Sequence, residues 1–386
     1  MRRGETGAYE TTTFGGEAVR AFVPARLPPG PPLDLEVLNA PLERASLSLG
    51  RLDSLAALLP DPHIFLYTYV RKEAVLSSQI EGTQSSLSDL LLFEVEGAPG
   101  APIDDVVEVS NYVAALEHGL ARMRGDDFPL SNRLIREIHG RLLARGRGAD
   151  KDPGEFRRSQ NWIGGSRPGT ARFVPPPPQR VGECMSDLER FWHARDSRLS
   201  SLLKAGLAHV QFETIHPFLD GNGRVGRLLI TLLLWQEGAL REPMLYLSLF
   251  FKQRRSEYYA LLNEVRESGD WEAWLLFFLD GVAGTAEEAV ATAHRVLALF
   301  GADQLRAAQT GRVAGSALRV YRALQERPIA SLAHAAGHSG LSFPAASSGM
   351  RALERLGIVR ELTGRKRNRL FGYEAYLAIL NEGTEV

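Results

Sequence analysis

Apolar residues recur at three- and four-residue spacing along most of the chain, which is the period of an α-helix. This spacing predicts helices over LNAPLERASLSLGRLDSLAALL (38–59), IFLYTYVRKEAVLSSQIEG (64–82), VVEVSNYVAALEHGLARM (106–123) and LSNRLIREIHGRLLA (130–144). Ser131 is predicted to be the N-cap of the fourth helix. Further helices are predicted over 181–194, 201–218, 228–238, 254–269 and 271–300. The body of the protein is therefore predicted to be mainly α.

The helical period is lost in two segments. Between Gly146 and Pro178, short runs at 161–163 and 171–174 flank the turn-rich GGSRPGT, which predicts a β-hairpin. The four prolines at 175–178 then favour an extended stretch. Residues 1–34 end in the run VPARLPPGPPLD and are predicted to form an irregular, proline-rich arm.

The C-terminal part of the chain has a different pattern. Helical segments are followed by VRELTGRKRNRLFGY, which predicts two short strands around a basic turn. Residues 312–374 contain eleven Arg or Lys against four Glu, about +7, whereas the whole chain has a net charge of −1. Helix, turn, helix and basic hairpin are the layout of a winged helix, a class that includes both DNA-binding and protein-binding modules.

These patterns divide the chain into five predicted regions. They are the arm (1–34), an N-terminal helical region (35–125), a helical core with the inserted hairpin (126–285), a connecting helix (286–314) and a winged-helix domain (315–386).

Composition narrows the class of protein. Cys184 is the only cysteine, which excludes an internal disulfide and a cysteine-based zinc site. No apolar run follows the two N-terminal arginines, so no signal peptide is visible. The most apolar segment, Leu228–Trp235, is far shorter than the roughly 20 residues that a membrane span needs. We therefore expect a cytoplasmic protein with no membrane partner.

The segment HPFLDGNGRVGR, residues 216–227, is the strongest chemical motif. Its GNGRVG part fits the G-x-G-x-x-G pattern of a dinucleotide-binding turn, but such a turn follows a β-strand, and the residues before it have helical spacing. A calcium loop is excluded because Arg224 stands at a ligand position. The chain also contains no Walker-type phosphate loop.

A helix, a tight glycine loop and a second helix remain, an arrangement that presents backbone N–H groups to an anion. Asp220 can hold a divalent metal, and Arg224 and Arg227 can bind phosphate oxygens from one helix face. His216 can accept a proton near pH 7. Together these residue types predict transfer from a nucleotide phosphate to a hydroxyl group.

The motif resembles, without departure, the HPFx[DE]GNGRxxR signature of the Fic family. The resemblance extends from about residue 30 to residue 285 and includes PGEFRRSQNWIGG, FVPPPP and SEYYALL. It implies a Fic-type helical bundle with a β-hairpin flap. It also implies Mg²⁺-dependent transfer of AMP from ATP to a Ser, Thr or Tyr hydroxyl of a protein, with release of diphosphate.

The resemblance implies roles for individual residues. His216 would deprotonate the hydroxyl, Asp220 would hold Mg²⁺, and Arg224 and Arg227 would bind the β/γ end of ATP. The backbone of residues 221–223, with the Asn222 side chain, would cradle the phosphates. The implied nucleotide-binding set is Gly221, Asn222, Gly223, Arg224, Val225, Gly226, Arg227, Tyr258 and Tyr259, with the two tyrosines beside the adenine. The implied flap residues, which dock the target by strand-like pairing, are Asn161, Trp162, Ile163 and Phe173.

LSSQIEGT, residues 76–83, fits the inhibitory pattern [ST]xxxE[GN] of the same family through Ser77, Glu81 and Gly82. A Glu81 carboxylate bound to Arg227 would occupy the space and the cation that the γ-phosphate needs. The resemblance thus implies an autoinhibited enzyme.

Several alternatives remain open at this point. The motif also permits transfer of another nucleotidyl group or of phosphocholine. A protein of a different class, a DNA-binding regulator whose Fic core only senses nucleotide, is compatible with the basic 365-RKR-367 turn. The identity of the target is also left open, and the target can be the enzyme itself. Two further open questions are whether the reverse reaction occurs and whether the protein forms a homodimer.

Overall fold

The computed structural model describes residues 2–58, 62–96, 102–125, 128–194 and 199–385. It is mainly helical, as predicted. Its helices are α1 (Leu35–Leu58), α2 (Pro62–Ile80), α3 (Leu87–Glu96), α4 (Ile103–Gly125), α5 (Asn132–Leu142), α6 (Pro178–His193), α7 (Ser201–Ile215), α8 (Asn222–Gln236), α9 (Ser248–Gln253), α10 (Arg255–Ser268), α11 (Trp271–Ala308), α12 (Ala314–Glu326), α13 (Leu332–Ser339), α14 (Phe343–Arg355) and α15 (Glu374–Asn381). Ser131 caps α5 as predicted, since its side chain accepts a hydrogen bond from the Leu134 N–H.

The N-terminal arm differs from the prediction. Strands β1 (Gly7–Phe14) and β2 (Glu17–Pro24) form an antiparallel hairpin, so the prediction of an irregular segment over residues 1–34 is wrong for residues 7–24. Gly15 and Gly16 both have positive φ, at 57° and 83°, the backbone conformation that a two-residue hairpin turn requires. This glycine pair was the signal in the sequence. This N-terminal hairpin packs on residues 161–174, which we call the flap segment. The Phe22 N–H donates to the Val174 carbonyl there at 2.9 Å.

The long helix α11 crosses a predicted domain boundary. The helical core was expected to end at residue 285 and the connecting helix to begin at residue 286. Both positions fall inside this continuous 38-residue helix. The helix packs along α1. The predicted boundary between residues 125 and 126 lies at the edge of the described residues, because 126 and 127 are outside them. No helix among the described residues is long and apolar enough to cross a membrane.

The C-terminal module, residues 314–385, contains α12 to α15 and strands β3 (Ile329–Ser331), β4 (Arg360–Glu361) and β5 (Leu370–Gly372). The strands form an antiparallel sheet of order β3-β5-β4. The predicted helix, turn, helix and two strands around the basic turn are therefore present. Assignment of the module to the winged-helix class stays a prediction.

Helix α7 lies at the centre of the molecule, and fourteen of its fifteen residues are buried. It contacts α6, α8, α10, α11 and β2. The indole N–H of Trp274 on α11 donates to the Gly206 carbonyl of α7 at 3.0 Å. This packing places the end of α7 and the start of α8, which share the motif 216–227, in a rigid position.

The contact of α14 with α12 depends on a glycine. A Cβ at Gly349 would lie 2.7 Å from the Ser316 carbonyl oxygen, so Gly349→Ala forces two helices apart. We expect a loss of about 1–3 kcal/mol in the free energy of unfolding of the C-terminal module. Gly337→Ala on α13 meets nothing within 4 Å and is expected to gain about 0.5–1 kcal/mol. Hydrogen exchange of peptides from residues 314–355 measures both. Equal exchange rates in the two variants would contradict the proposed helix contact.

Candidate active site

His216 follows the last residue of α7 and has a left-handed backbone, with φ 49° and ψ 60°. Its side chain is one-fifth exposed. The Nδ1 atom lies 3.4 Å from the Glu213 carbonyl oxygen and 4.0 Å from Glu213 Oε2. Burial, together with the positive charges of Arg157 and Arg266, lowers the pKa of His216 to about 3. The imidazole is therefore neutral near pH 7, and Nε2 can accept a proton when Nδ1 carries the hydrogen.

Residues 217–221 form the loop between α7 and α8, and the Asn222 side chain holds it closed. Asn222 Oδ1 accepts from the Phe218 N–H and Asn222 Nδ2 donates to the Phe218 carbonyl, both at 2.8 Å. Asn161 of the flap segment donates to the same carbonyl at 2.9 Å. Each of these contacts uses one donor or one acceptor of the amide, and Nδ2 has a second N–H, so the phosphate contact of the Asn222 side chain stays a prediction. The backbone of Gly221 and of the first turn of α8 remains for an anion.

His139 on α5 holds the other side of the loop, and no motif in the sequence indicated this role. Its Nδ1 accepts from the Gly154 N–H at 2.8 Å, so the proton is on Nε2, which donates to the Asp220 carbonyl at 3.0 Å. The ring stacks on Phe218 with centroids 3.7 Å apart. Burial lowers the pKa of His139 to about 4, so the neutral tautomer that this contact needs persists through neutral pH.

Arg157 is a second positioning residue that sequence reasoning missed, although it lies in the quoted PGEFRRSQNWIGG. It is buried, and it donates to the carbonyls of His216 at 2.9 Å and Pro176 at 2.6 Å. Its own N–H donates to the Pro217 carbonyl at 2.8 Å. Burial lowers the pKa of Arg157 to about 10. The guanidinium thus connects His216, at the end of α7, to the proline run that follows the flap segment. It also adds positive charge beside the His216 imidazole.

Arg224 does not point to open space. Its Nη1 lies 2.6 Å from Glu108 Oε1 on α4, its Nη2 lies 3.3 Å from Asp220 Oδ1, and its side chain is 1% exposed. Arg224 Nε has no hydrogen-bond partner among the described residues, and the contact of Arg224 with the β/γ end of ATP stays a prediction. Val225 is buried, so its side chain packs in the core. The place of Val225 in the nucleotide-binding set stays a prediction that only its backbone could fulfil.

Arg227 makes the predicted contact with Glu81. Its Nη2 lies 2.8 Å from Glu81 Oε1, and Arg227 also donates to Ser77 through Nε to the hydroxyl and Nη2 to the carbonyl, each at 2.8 Å. The Glu81 carboxylate also lies against Gly223, in the space that a Cβ would take. A carboxylate therefore occupies the N-terminus of α8, where the sequence predicts a phosphate. Gly82 closes the turn by donating to the Gln79 carbonyl at 3.1 Å.

The charges around Arg227 are unequal. Burial opposes ionisation of Glu81, but the Arg227 guanidinium outweighs it and lowers the pKa of this carboxyl. Glu213 lies against Gly226, one helical turn further along α8, and burial raises its pKa to about 7. Among the described residues, Arg227 Nη1 has no hydrogen-bond partner although it is buried.

Tyr258 and Tyr259 separate into different environments. Tyr258 is buried; its hydroxyl lies 2.8 Å from His209 Nε2 and its ring stacks on Phe251. His209 Nδ1 lies 2.9 Å from the Gly226 carbonyl, so Nδ1 carries the proton and the Tyr258 hydroxyl donates to Nε2. The predicted place of Tyr258 beside the adenine is wrong, because a fully buried ring has no free face. Tyr259 is partly buried and retains that prediction.

Two stretches of the chain match known protein-family descriptions. Residues 39–121 match the description "Fic/DOC family N-terminal" and residues 129–234 match "Fic/DOC family". The chain belongs to the Fic/DOC family. The first match contains the Glu81 turn and the second contains His216, Asp220 and Arg227.

Curated relatives share only part of their length with this Fic chain. Protein adenylyltransferase Fic of Aedes aegypti is 33% identical over 207 residues, which are 52% of this chain and 38% of that protein. The protein of the same name from Drosophila virilis is 39% identical over 153 residues, 38% of this chain and 27% of that protein. The chain thus spans well under half of the length of these relatives.

Two solved structures share the fold. A Fic family protein from Desulfovibrio desulfuricans aligns with a TM-score of 0.58 at 21% identity, over 90% of this chain and 98% of that one. Fic-1 from C. elegans aligns with a TM-score of 0.53 at 24% identity, over 69% and 75% of the two chains. At these identities the likeness concerns the fold alone.

The flap of this Fic chain is smaller than the predicted hairpin. Ile163 and Phe173 form a single antiparallel bridge with N···O distances of 2.8 and 3.1 Å, and a 3₁₀ turn occupies Pro168–Thr170. Trp162 lies beside Phe14 of the N-terminal hairpin, with ring centroids 6.1 Å apart. The Arg266 guanidinium covers the Phe173 ring at 4.0 Å. The segment is therefore attached to its surroundings by side chains more than by a β-ladder.

Asp220 fits the modest demand that Mg²⁺ makes on a protein at a nucleotide. Such sites use one or two carboxylates, and water and phosphate complete the shell. Asp220 is partly exposed at the mouth of the loop, and Oδ1 accepts from the Gly221 N–H at 2.6 Å. Within the described residues no group of three or more His, Cys, Asp or Glu forms a metal cage.

Glu213 generates a pH-dependent stability. Its folded-state pKa of about 7 is above the ordinary 4.5, so the folded protein holds a proton that the unfolded chain has released between these values. Stability is therefore expected to fall as the pH rises through this window, by at most about 1.4 kcal/mol per pH unit. Glu213→Gln imitates the protonated carboxyl and removes this contribution.

Urea unfolding at about pH 5 and about pH 8 measures the difference. Between these two conditions the Glu213→Gln variant should lose less stability than the wild type. Glu354→Gln, at an exposed position of α14, is the control and should lose as much as the wild type. Identical losses in all three proteins would contradict the raised pKa of Glu213.

Proposed function

We propose that this Fic protein transfers AMP from ATP to the hydroxyl of a Ser, Thr or Tyr side chain of a protein, including its own chain, and releases diphosphate. The observation on which this proposal depends is the buried Arg227. It binds a carboxylate at the N-terminus of α8 and keeps one N–H group without a partner among the described residues. An arginine so placed beside a neutral histidine suits an anionic substrate with a reacting hydroxyl. The curated relatives named protein adenylyltransferase support AMP as the transferred group.

His216 would remove the proton of the attacking hydroxyl. Its Nε2 takes the proton while the hydroxyl oxygen bonds to the α-phosphorus, and the bond from this phosphorus to the bridging oxygen breaks as diphosphate leaves. Burial, together with Arg157 and Arg266, keeps the imidazole neutral before this step, and the Glu213 carbonyl and carboxyl lie on its Nδ1 side. Positive charge that develops on the ring is therefore opposed by two guanidiniums and favoured by Glu213.

The phosphate chain would bind at the N-terminus of α8. Backbone N–H groups of Gly221 to Gly223 and the guanidinium of Arg227 offer fixed positive charge there. Asp220 would hold Mg²⁺, which neutralises phosphate charge when it is bound. His139 maintains this arrangement by holding the Asp220 carbonyl.

Autoinhibition follows from competition for Arg227. The Glu81 carboxylate and a γ-phosphate need the same N–H groups and the same space above Gly223. With Glu81 in place, ATP would bind with its α-phosphate displaced, and a shift of about 1 Å can cost about 10²-fold in rate. The state described here would be the inhibited one.

Labelled ATP tests the transferred group and the inhibition together. Wild type, Glu81→Gly, Glu81→Gln and Glu81→Gly/His216→Ala are incubated with Mg²⁺ and ATP labelled at the α- or γ-phosphate, alone and with cell lysate. We expect protein-bound α-label only, about 10²-fold higher in Glu81→Gly than in wild type. The double variant should lose about 10²–10⁴-fold of that gain because it lacks the base.

The other outcomes separate the alternatives. Glu81→Gln keeps the volume of the side chain and removes its charge, so an intermediate rate would assign the inhibition partly to charge. Bound γ-label would mean phosphorylation instead of AMP transfer. No label in any variant would leave the nucleotide-sensing role as the better account.

A second candidate function concerns the C-terminal module. Its exposed turn Arg365–Arg367 lies between β4 and β5, and the module has the excess of basic residues noted above. We propose that this turn contacts DNA phosphates. Lys366→Ala and Arg367→Ala should each reduce the slope of log affinity against log salt by about one. Arg241→Ala, at an exposed position outside the C-terminal module, is the control. An unchanged slope in the Lys366→Ala and Arg367→Ala variants would contradict DNA contact.

A further inference from the structure

The last described residues of the chain lie directly beside the Glu81 turn. Gln79 Nε2 donates to the Thr384 carbonyl at 3.0 Å, and Lys252 of α9 donates to Gln79 Oε1 at 2.8 Å. Lys252 Nζ also donates to the Glu385 carbonyl at 2.6 Å. One side chain of α2 is thus held by a distant part of the sequence, two residues from Glu81. We call residues 381–385 the C-terminal segment.

The C-terminal segment is seated along its whole length. Asn381 Nδ2 donates to Ser88 Oγ at 3.0 Å, at the start of α3. Lys72 of α2 donates to the Glu382 carbonyl at 2.6 Å, and the Glu382 carboxylate pairs with Arg295 at 2.5 and 2.7 Å. Thr384 is 1% exposed. These contacts are typical of a bound segment and not of a loose tail.

The close fit at Gly383 supports the same conclusion. A Cβ at this residue would lie 2.8 Å from Leu249 Cδ1 on α9, so the backbone of the segment lies directly on that side chain. Upstream, α15 contacts α2 again, where the Tyr376 hydroxyl lies 3.4 Å from Thr68 Oγ1. The C-terminal module therefore meets α2 at Thr68, Lys72 and Gln79, along more than two helical turns.

Gln79 is connected to the inhibitory carboxylate through the backbone. The Gly82 N–H donates to the Gln79 carbonyl at 3.1 Å, and the Glu81 N–H donates to the Ser78 carbonyl at 3.0 Å. These two bonds form the turn that presents Glu81 to Arg227. A change in the position of Gln79 therefore moves the turn, whereas Ser77 remains bound to Arg227.

We propose that the C-terminal segment is an intramolecular ligand of the α2–α9 surface and that it holds Glu81 on Arg227. Departure of the segment from Gln79 and Lys252 would free the turn and raise the transfer rate. The effect on rate rests on the proposed function, but the effect on the turn does not. In this arrangement, a contact made by the C-terminal module can regulate a site that it does not touch.

Two variants disrupt the contact in different ways. Gln79→Ala removes the side chain that joins Thr384 and Lys252, together with its hydrogen bond to the Ser85 carbonyl at 3.0 Å. Truncation after Leu380 removes the segment itself and leaves the Ser85 contact in place, so it isolates the effect of the segment. Loss of the contacts with the segment is expected to shift the ratio of freed to bound turn by about tenfold. Gln304→Ala, an exposed glutamine of α11, is the matched control.

The first readout is incorporation of α-label from ATP by the full chain. Gln79→Ala and the truncated protein should each exceed wild type by about tenfold, and Gln304→Ala should not. In the Glu81→Gly background neither change should add anything, because there is no carboxylate left to release. A rise of the same size in the Glu81→Gly background would overturn the proposal. The proposal would also be overturned if Glu81→Gly is active but neither Gln79→Ala nor the truncation raises incorporation in the otherwise wild-type protein.

The second readout does not depend on catalysis. Hydrogen exchange of the peptide containing residues 78–83 should be about tenfold faster in Gln79→Ala and in the truncated protein than in wild type or Gln304→Ala. If Glu81→Gly incorporates no label, the proposed function fails, and this exchange rate still decides on the C-terminal segment. Unchanged exchange in both folded variants would overturn the proposal.

Discussion

The structure depends on a buried guanidinium that must have an anionic partner. Arg227 lies inside the bundle at the first turn of α8, and a buried charge without compensation costs several kcal/mol. Ser77 supplies neutral acceptors, and Glu81 supplies the negative charge. In the proposed function a triphosphate would be the other anion that binds there. The same cation would then have two mutually exclusive partners, and a single carboxylate side chain would be enough to inhibit the enzyme.

The surrounding contacts restrict how this exchange can occur. His139, Arg157 and Asn222 each hold a different backbone group of the loop between α7 and α8. Because these contacts are independent of Glu81, removal of the carboxylate should leave the loop in place. In the proposed exchange, the element that moves would be the short turn after α2, which is held in part by Gln79 and the C-terminal segment. A loop that stays in place and a turn that can be released would together make the inhibition reversible.

Local sequence was sufficient for the parts of the site that are contiguous. HPFLDGNGRVGR predicted the loop and the anion-binding helix start, and LSSQIEGT predicted the partner of Arg227 across 146 positions. The sequence does not predict the contact of Arg224 with Glu108 or that of Tyr258 with His209. The residue type alone does not tell a ligand-binding arginine or tyrosine from a structural one. Burial decides between these roles, and burial depends on α4 and α9, which no motif specifies. The N-terminal hairpin differs in this respect, since the local pair Gly15–Gly16 specifies its turn and no distant contact is needed to predict it.

The two acids near Arg227 differ in their protonation. Burial raises the pKa of Glu213 to about 7, and the negative charge of Glu81 raises it further, whereas Arg227 lowers the pKa of Glu81. In the proposed function a triphosphate takes the place of Glu81 on Arg227, so negative charge near Glu213 would persist after the inhibitory carboxylate leaves. Burial and this neighbouring charge both favour the protonated form of Glu213. A protonated carboxyl leaves the charge of Arg227 to the anion at the start of α8, whether that anion is Glu81 or a phosphate.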